Sequence, residues 1–206
     1  VNNAPTRSAG SASSLSQSNV SGPIAGMYES ANNRWHMAYR KNNYPIIRVW
    51  TGVGGSVQPA TGEAWMPIQG WCRGIAHDTV KNVFVAMQIN TSYQPYLVAY
   101  TISGSSVTWG SEVQVTSSTI YNTRNPIIYN ASANTLTYVY LTSGAINAVD
   151  ITLSGTGNRT ITLGTPYVLS TTTQSGWSSF ATSKDSQRWI IGYKTGGGTG
   201  AVSTRL

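Results

Sequence analysis

The sequence predicts an all-β, β-propeller-like domain, and three observations predict it. Strand-forming Val, Ile, Thr, Tyr and Trp dominate the 206 residues, and no long stretch carries the apolar period of a helix. A strand of one character recurs: "RWHMAY" at 34–39, "NVFVAM" at 82–87, "TLTYVY" at 135–140 and "RWIIGY" at 188–193, with starts offset by 48, 53 and 53 residues. Around each copy lie shorter strands parted by Gly, Asn, Asp and Ser, so a module of about four antiparallel strands repeats near every fifty residues. That is the signature of propeller blades. A β-sandwich, the competing fold, also has short strands but does not require a recurring four-strand unit.

Residues 1–21, "VNNAPTRSAGSASSLSQSNVS", are small, polar and patternless, and read as a flexible N-terminal arm or a closing strand. Residues 22–206 divide into about four four-stranded antiparallel blades, at about 22–70, 71–117, 118–170 and 171–206. The first strands are "IAGMY" at 24–28, "CRGIAH" at 72–77, "NPIIYN" at 125–130 and "SSFATS" at 178–183. Each reaches the recurring second strand through a turn rich in Asn, Asp, Ser or Lys. The third strands are "PIIRVW" at 45–50, "YLVAYTI" at 96–102, "INAVDITL" at 146–153 and "AVSTRL" at 201–206. Fourth strands follow in three units, "EAWMPI" at 63–68, "EVQV" at 112–115 and "TPYVL" at 165–169, while the last blade is incomplete in this chain. Its unpaired edge needs a partner. The arm near 14–20, chain beyond Leu206 and a second subunit all remain open.

Charged residues make up only 9 % of the chain, yet seven Trp and twelve Tyr supply the large apolar surfaces that disordered chains lack. The net charge of +7 favours anionic partners, although the basic residues are scattered, with only Arg40 and Lys41 adjacent. The single cysteine, Cys72, cannot form an intrachain disulfide and reads as a small core residue. No apolar run is long enough for a membrane-spanning helix, so no membrane insertion is expected.

Because blade strands alternate in direction, the 2–3 turns and the blade-to-blade connections share one face. That face gathers Tyr44, Trp71, Tyr93, Tyr121 and Trp177 with Asn42, Asn43, Asn90, Asn122, Arg73 and Arg124. Aromatic rings pack on the C–H face of a sugar, while amide and guanidinium groups bond its hydroxyls or a carboxylate. Single-stranded nucleic acid would use similar chemistry. For Trp71 and Trp177 the competing role is to plug gaps between blades; Trp35 and Trp189 are expected in the core. Tyr44, Trp71, Tyr93, Tyr121, Trp177, Asn43, Arg73 and Arg124 are the expected ligand-binding set.

Catalysis looks poorly supplied. The six carboxylates, Glu29, Glu63, Asp78, Glu112, Asp150 and Asp185, place no pair on the loop-rich face, which glycoside hydrolysis requires. His36, His77 and Cys72 lack metal-ligand spacing, and His77–Asp78 reads as a turn rather than a proton relay. The expectation is a non-enzyme with no cofactor and no metal.

The stretch "NPIIYNASANTLTYVYLTSGAINAVDITLSGTGNRTITLGTPYVLS" at 125–170 resembles the propeller-like repeats of bacteriophage tail fibre and receptor-binding proteins. The stretch "IAHDTVKNVFVAM…YTISGSSVTWGSEVQV" in the second blade is similar. The convincing match covers about half of the chain, and its motifs specify a repeat rather than a chemistry. The resemblance implies an extracellular virion surface adhesion module that recognises host-cell glycans without catalysis. Its partners would be cell-surface polysaccharide or lipopolysaccharide and other virion subunits, in a homo-oligomer such as a trimer. The alternatives are a structural capsid or tail component and, further off, a glycan hydrolase.

Overall fold

The computed structural model describes residues 20–53, 56–120, 123–124, 127–131, 133–171, 178–182, 188–195 and 198–205, with side chains described at 20, 25–52, 58–120, 127–131 and 133–171. Among the described residues the strands form four sheets. The first holds β1 (Val20–Glu29), β2 (Arg34–Lys41), β3 (Tyr44–Val53), β4 (Ser56–Pro59) and β5 (Ala64–Trp65). The second is β6 (Gly70–Asp78), β7 (Val83–Asn90), β8 (Pro95–Ser103) and β9 (Ser106–Gln114). Next come β10 (Thr123–Arg124), β11 (Ile127–Asn130), β12 (Thr135–Leu141), β13 (Ile146–Ser154), β14 (Thr160–Leu163) and β15 (Tyr167–Ser170). The chain closes with β16 (Ser178–Thr182), β17 (Arg188–Thr195) and β18 (Gly198–Arg205).

Apart from a few outer or added strands, neighbouring strands in each sheet are neighbours in sequence and run antiparallel, so the fold is all-β and propeller-like, with one sheet per blade. Four details depart from the expected strands. β1 begins at Val20, where Val20 pairs with Lys41, so the arm ends before residue 21. The fourth strand is broken in two blades: β4 and β5 both pair with β3, and β14 and β15 both pair with β13. The hairpin of the second blade is longer than expected and turns at Gly104, whose φ of 57° suits a residue without a Cβ. The last sheet gains a member at its other edge, β10, taken from upstream and paired in parallel with β16, while among the described residues no strand pairs with the outer edge of β18, as expected of an incomplete last blade. Residues 14–19 and Leu206 lie outside the described residues.

Alternation along the second strands builds the core. Ala38 of β2 and Phe84 and Ala86 of β7 face each other with Ile47, Val49, Cys72, Val98 and Tyr100, forming the seam between the first two blades. The opposite face of β7, with Val83, Val85, Met87 and Ile89, meets Leu136, Tyr138 and Tyr140 of β12 in the next seam. Strand β6 lies against β1 on one side and β11 on the other, so the first strands of adjacent blades adjoin. Trp35 does not join this core: it is 47 % exposed and packs on Tyr28 with ring centroids 4.6 Å apart. It occupies the blade position of Phe84, but on the face of the first blade turned away from the second.

A turn device repeats where each first strand meets its second. Tyr28 bonds the side chain of Asn33 at 2.9 Å, His77 that of Asn82 at 3.1 Å, and Tyr129 that of Asn134 at 3.0 Å. All three asparagines are left-handed, with φ of 50°, 53° and 51°, a conformation Asn tolerates well. The residue after each aromatic is a buried acceptor: Glu29, Asp78 and Asn130. Asp78 accepts the N–H groups of Val80 and Lys81, and Asn130 that of Ala133, so these side chains close their own turns.

Candidate functional site

The loop-face end of the first seam, where Trp71 also packs against the core of the next seam, gathers the described members of the expected binding set. The Lys41–Tyr44 hairpin turns through Asn42 and Asn43, both left-handed, as a two-residue turn of the type that matches strand twist requires. The carbonyl of Asn43 accepts the N–H of Gly70, which begins β6, and Gln69 donates to the Tyr44 hydroxyl at 3.0 Å. Blade turn and blade-to-blade connection therefore share this face, as strand alternation dictates. The same holds in the second blade, where Ile120 donates to the carbonyl of Tyr93 and Gln94 to that of Ser117.

Trp71 is the centre of the site. The guanidinium of Arg40 stands 4.6 Å from its ring centroid and that of Arg73 5.9 Å. The ring of Tyr93 stacks on it at 5.7 Å with an interplanar angle of 21°. Tyr93 is itself left-handed (φ 61°), unusual for an aromatic residue, and the loop is held in that shape by Asn90. The Asn90 side-chain oxygen accepts the N–H groups of Ser92 and Gln94, and its amide donates to the Gln94 side chain. Half-exposed, Tyr93 presents the other part of its ring to solvent.

The remaining expected residues take other roles. Asn43 accepts from Arg40 Nη2 at 2.8 Å, so it positions the guanidinium. Tyr44 meets Trp65 edge-on at 6.0 Å and flanks the site. Tyr121 and Trp177 lie outside the described residues, and only the backbone of Arg124 is described, in β10. Arg40, placed here by strand alternation, was missed as a site residue. Its signal was position: two residues beyond the seam residue Ala38 and one before a turn.

The site is rich in cations and ring faces, with amide groups at its margin. Two guanidinium groups over one indole suit a ligand with an anionic group and an apolar face. Among the described carboxylates, Glu63 is bound to Lys41 and Tyr39, Asp78 to its own turn, and Asp150 to Thr137.

A second constellation lies at the opposite end of the same seam. Glu29, His36 and Tyr100 are all essentially buried. His36 Nε2 is 3.0 Å from Glu29 Oε2, and Nδ1 is 2.8 Å from the Tyr100 hydroxyl. Burial pushes the His36 pKa down against the opposing pull of Glu29, and burial drives Tyr100 well above its ordinary value. The neutral imidazole therefore donates from Nε2 to the Glu29 carboxylate and accepts at Nδ1 from the tyrosine hydroxyl. Burial alone would raise Glu29, but hydrogen bonds from Asn32 and His36 carry it below the ordinary value. Glu29 is one methylene longer than Asp78; besides accepting from the Asn32 side chain of its own turn it holds His36, whose bond to Tyr100 ties the first blade to the second.

No family model matches this chain, and no curated protein matches it. Its fold is found among solved structures. A protein from Lactobacillus plantarum superposes with a TM-score of 0.59 at 12 % identity over 88 % of this chain and 54 % of that one. A protein from Bacteroides uniformis described as a "putative 6-phosphogluconolactonase" superposes with a TM-score of 0.53 at 7 % identity, over 87 % and 52 %. The chain thus spans about half the length of both. The expectation of a virion adhesion module for host-cell glycans, with its capsid and hydrolase alternatives, is corrected by these neighbours, neither of which is described as a virion component. The physical reason lies in the motifs. The phrase "ITLSGTGNRTITLG" forms β13, a turn and β14, so it encodes blade geometry that propellers of unrelated role share. What the comparisons show of this chain is its propeller-like fold.

Proposed function

We propose that the chain is a propeller unit that binds a small anionic sugar, a sugar bearing a phosphate or carboxylate, at the Trp71 end of the seam between its first two blades. The observation that carries this reading is the approach of two guanidinium groups to the Trp71 ring beside the stacked, half-exposed ring of Tyr93. The cations would take the acid group while ring faces pack on the sugar's C–H surface. The net charge of +7 adds a field of the right sign. The 6-phosphogluconolactonase name carried by one neighbour belongs to the same chemical class of ligand, a phosphorylated sugar derivative.

Calorimetric titration with glucose 6-phosphate, D-gluconate and uncharged glucose tests this. The two anions are expected to bind saturably at physiological salt and glucose far more weakly. Tyr93→Ala should weaken both anions by about tenfold, the scale of a lost stacking contact, and Arg40→Gln should weaken them more. Equal affinity for glucose, or binding unchanged in both variants, overturns the reading.

A further inference from the structure

Resting on that reading, we infer that the site continues into the seam as a polar slot, formed by Gln88 with Arg40, that takes the hydroxyl-bearing carboxylate end of a sugar acid. Gln88 is fully buried on β7, and neither its amide nitrogen nor its oxygen has a partner among the described residues. An amide left with both groups unsatisfied is costly, and native interiors seldom keep one without something to bond it. The Nε of Arg40 is likewise buried without a partner.

These groups belong to one neighbourhood. Along β2 the residues facing the second blade are His36, Ala38 and Arg40; along β7 those facing the first are Phe84, Ala86 and Gln88. The rings of His36 and Phe84 lie 4.2 Å apart, and Ala38 and Ala86 share the seam core. The next step along both strands brings Arg40 and Gln88 to the same level. In the sheet, Gln88 stands opposite Cys72, whose chain neighbours are Trp71 and Arg73. Arg40 spans from this level to the Trp71 ring.

The unmet bonding groups specify the ligand group. Arg40 Nε offers only a donor and requires an acceptor such as a carboxylate oxygen. Gln88 offers a donor and an acceptor side by side, so its partner must both accept and donate, which a hydroxyl does and a fully ionised phosphate does not. A hydroxyl next to a carboxylate, as in an aldonic acid, meets both demands.

Calorimetry with D-gluconate, hexanoate (the same chain length without hydroxyls) and glucose 6-phosphate, on wild type and Gln88→Leu, separates the outcomes. Wild type should prefer gluconate over hexanoate by at least about tenfold. In Gln88→Leu that preference should collapse while glucose 6-phosphate binding changes little. The melting temperature of the ligand-free variant should be equal or higher, because the apolar side chain leaves nothing unsatisfied. A preference kept in Gln88→Leu, or absent in wild type while glucose 6-phosphate still binds, overturns this inference alone and leaves Gln88 bonded to an internal water. Absence of binding by every anion overturns both the slot and the reading it rests on.

Discussion

Replacing His36 by leucine removes the middle of a buried three-residue chain, and the structure sets the size of the loss. The Tyr100 hydroxyl loses its acceptor at 2.8 Å, and Glu29 loses the 3.0 Å bond that offsets its burial. An unsatisfied buried group costs about 1–3 kcal/mol, so the two together cost about 2–6 kcal/mol. For a chain of this size that is a fall in melting temperature of about 4–24 °C. Tyr100→Phe removes only the hydroxyl and should cost about 1–2 kcal/mol, through the acceptor left on His36 Nδ1. In the double variant no hydroxyl is stranded, so its cost should fall short of the sum of the singles by about 1–2 kcal/mol. The pH dependence follows from direction. The folded-state pKa of His36 lies below its unfolded value, so its contribution is complete above about 6.5 and declines as pH falls and the unfolded chain takes up a proton the fold refuses. Glu29, also lowered, adds stability above its ordinary 4.5 that is lost as pH falls through its depressed folded value. Urea denaturation from pH 8 down to about pH 2 should therefore show two acid-weakening steps in wild type, and His36→Leu should lack the first. Additive single and double effects, or a first step that survives in His36→Leu, would refute the hydrogen-bonded chain.

Three further outcomes follow from the same geometry. Gly70→Ala should destabilise the protein by about 2 kcal/mol or more, because φ is 144° and a Cβ would stand 1.8 Å from the Ile89 carbonyl oxygen; chemical denaturation measures it. Cys72 is buried and its thiol is pushed up to about 12 by that burial, so a disulfide-forming thiol reagent should label it slowly at neutral pH and at once in denaturant. Rapid labelling of the folded protein would contradict its placement in the seam. Asp78→Ala removes the acceptor for two turn N–H groups and should cost about 1–2 kcal/mol, with Asp78→Asn recovering much of it, as Asn130 serves the next blade.

The blade repeat was legible because each second strand must bury both faces, which makes "NVFVAM" and "TLTYVY" continuous apolar runs between turn residues. The sharing of one face by the 2–3 turns and the blade connections was legible through strand alternation alone, and it brought Trp71, Arg73 and Tyr93 together with Tyr44 at their flank. What strand alternation could not supply was sidedness at the first blade. Trp35 looks like Phe84 in the strand pattern, yet the two face different neighbours, and among the described residues only Phe84 has a blade packed against it. The broken fourth strands also escaped notice, because short outer strands at half-exposed positions carry little apolar pattern. Arg40 and the Glu29–His36–Tyr100 chain were hidden for another reason: their partners lie across the seam, and sequence spacing is silent on contacts between blades. The turn device was within reach. An aromatic, an acceptor and, four residues on, an asparagine recur at Tyr28, His77 and Tyr129 in step with the blades.

The central claim is that the Trp71 end of the first seam is a binding site for a sugar anion, and one titration tests it most directly. With the protein labelled in nitrogen-15, the Trp71 indole N–H, the Arg40 Nε–H and the Tyr93 amide would be followed by NMR as D-gluconate and glucose 6-phosphate are added at physiological salt. The account predicts saturable shifts of all three signals, with one dissociation constant per ligand and little change at basic residues elsewhere. Shifts spread over many lysines and arginines that fade as salt is raised, with Trp71 unmoved, would contradict it.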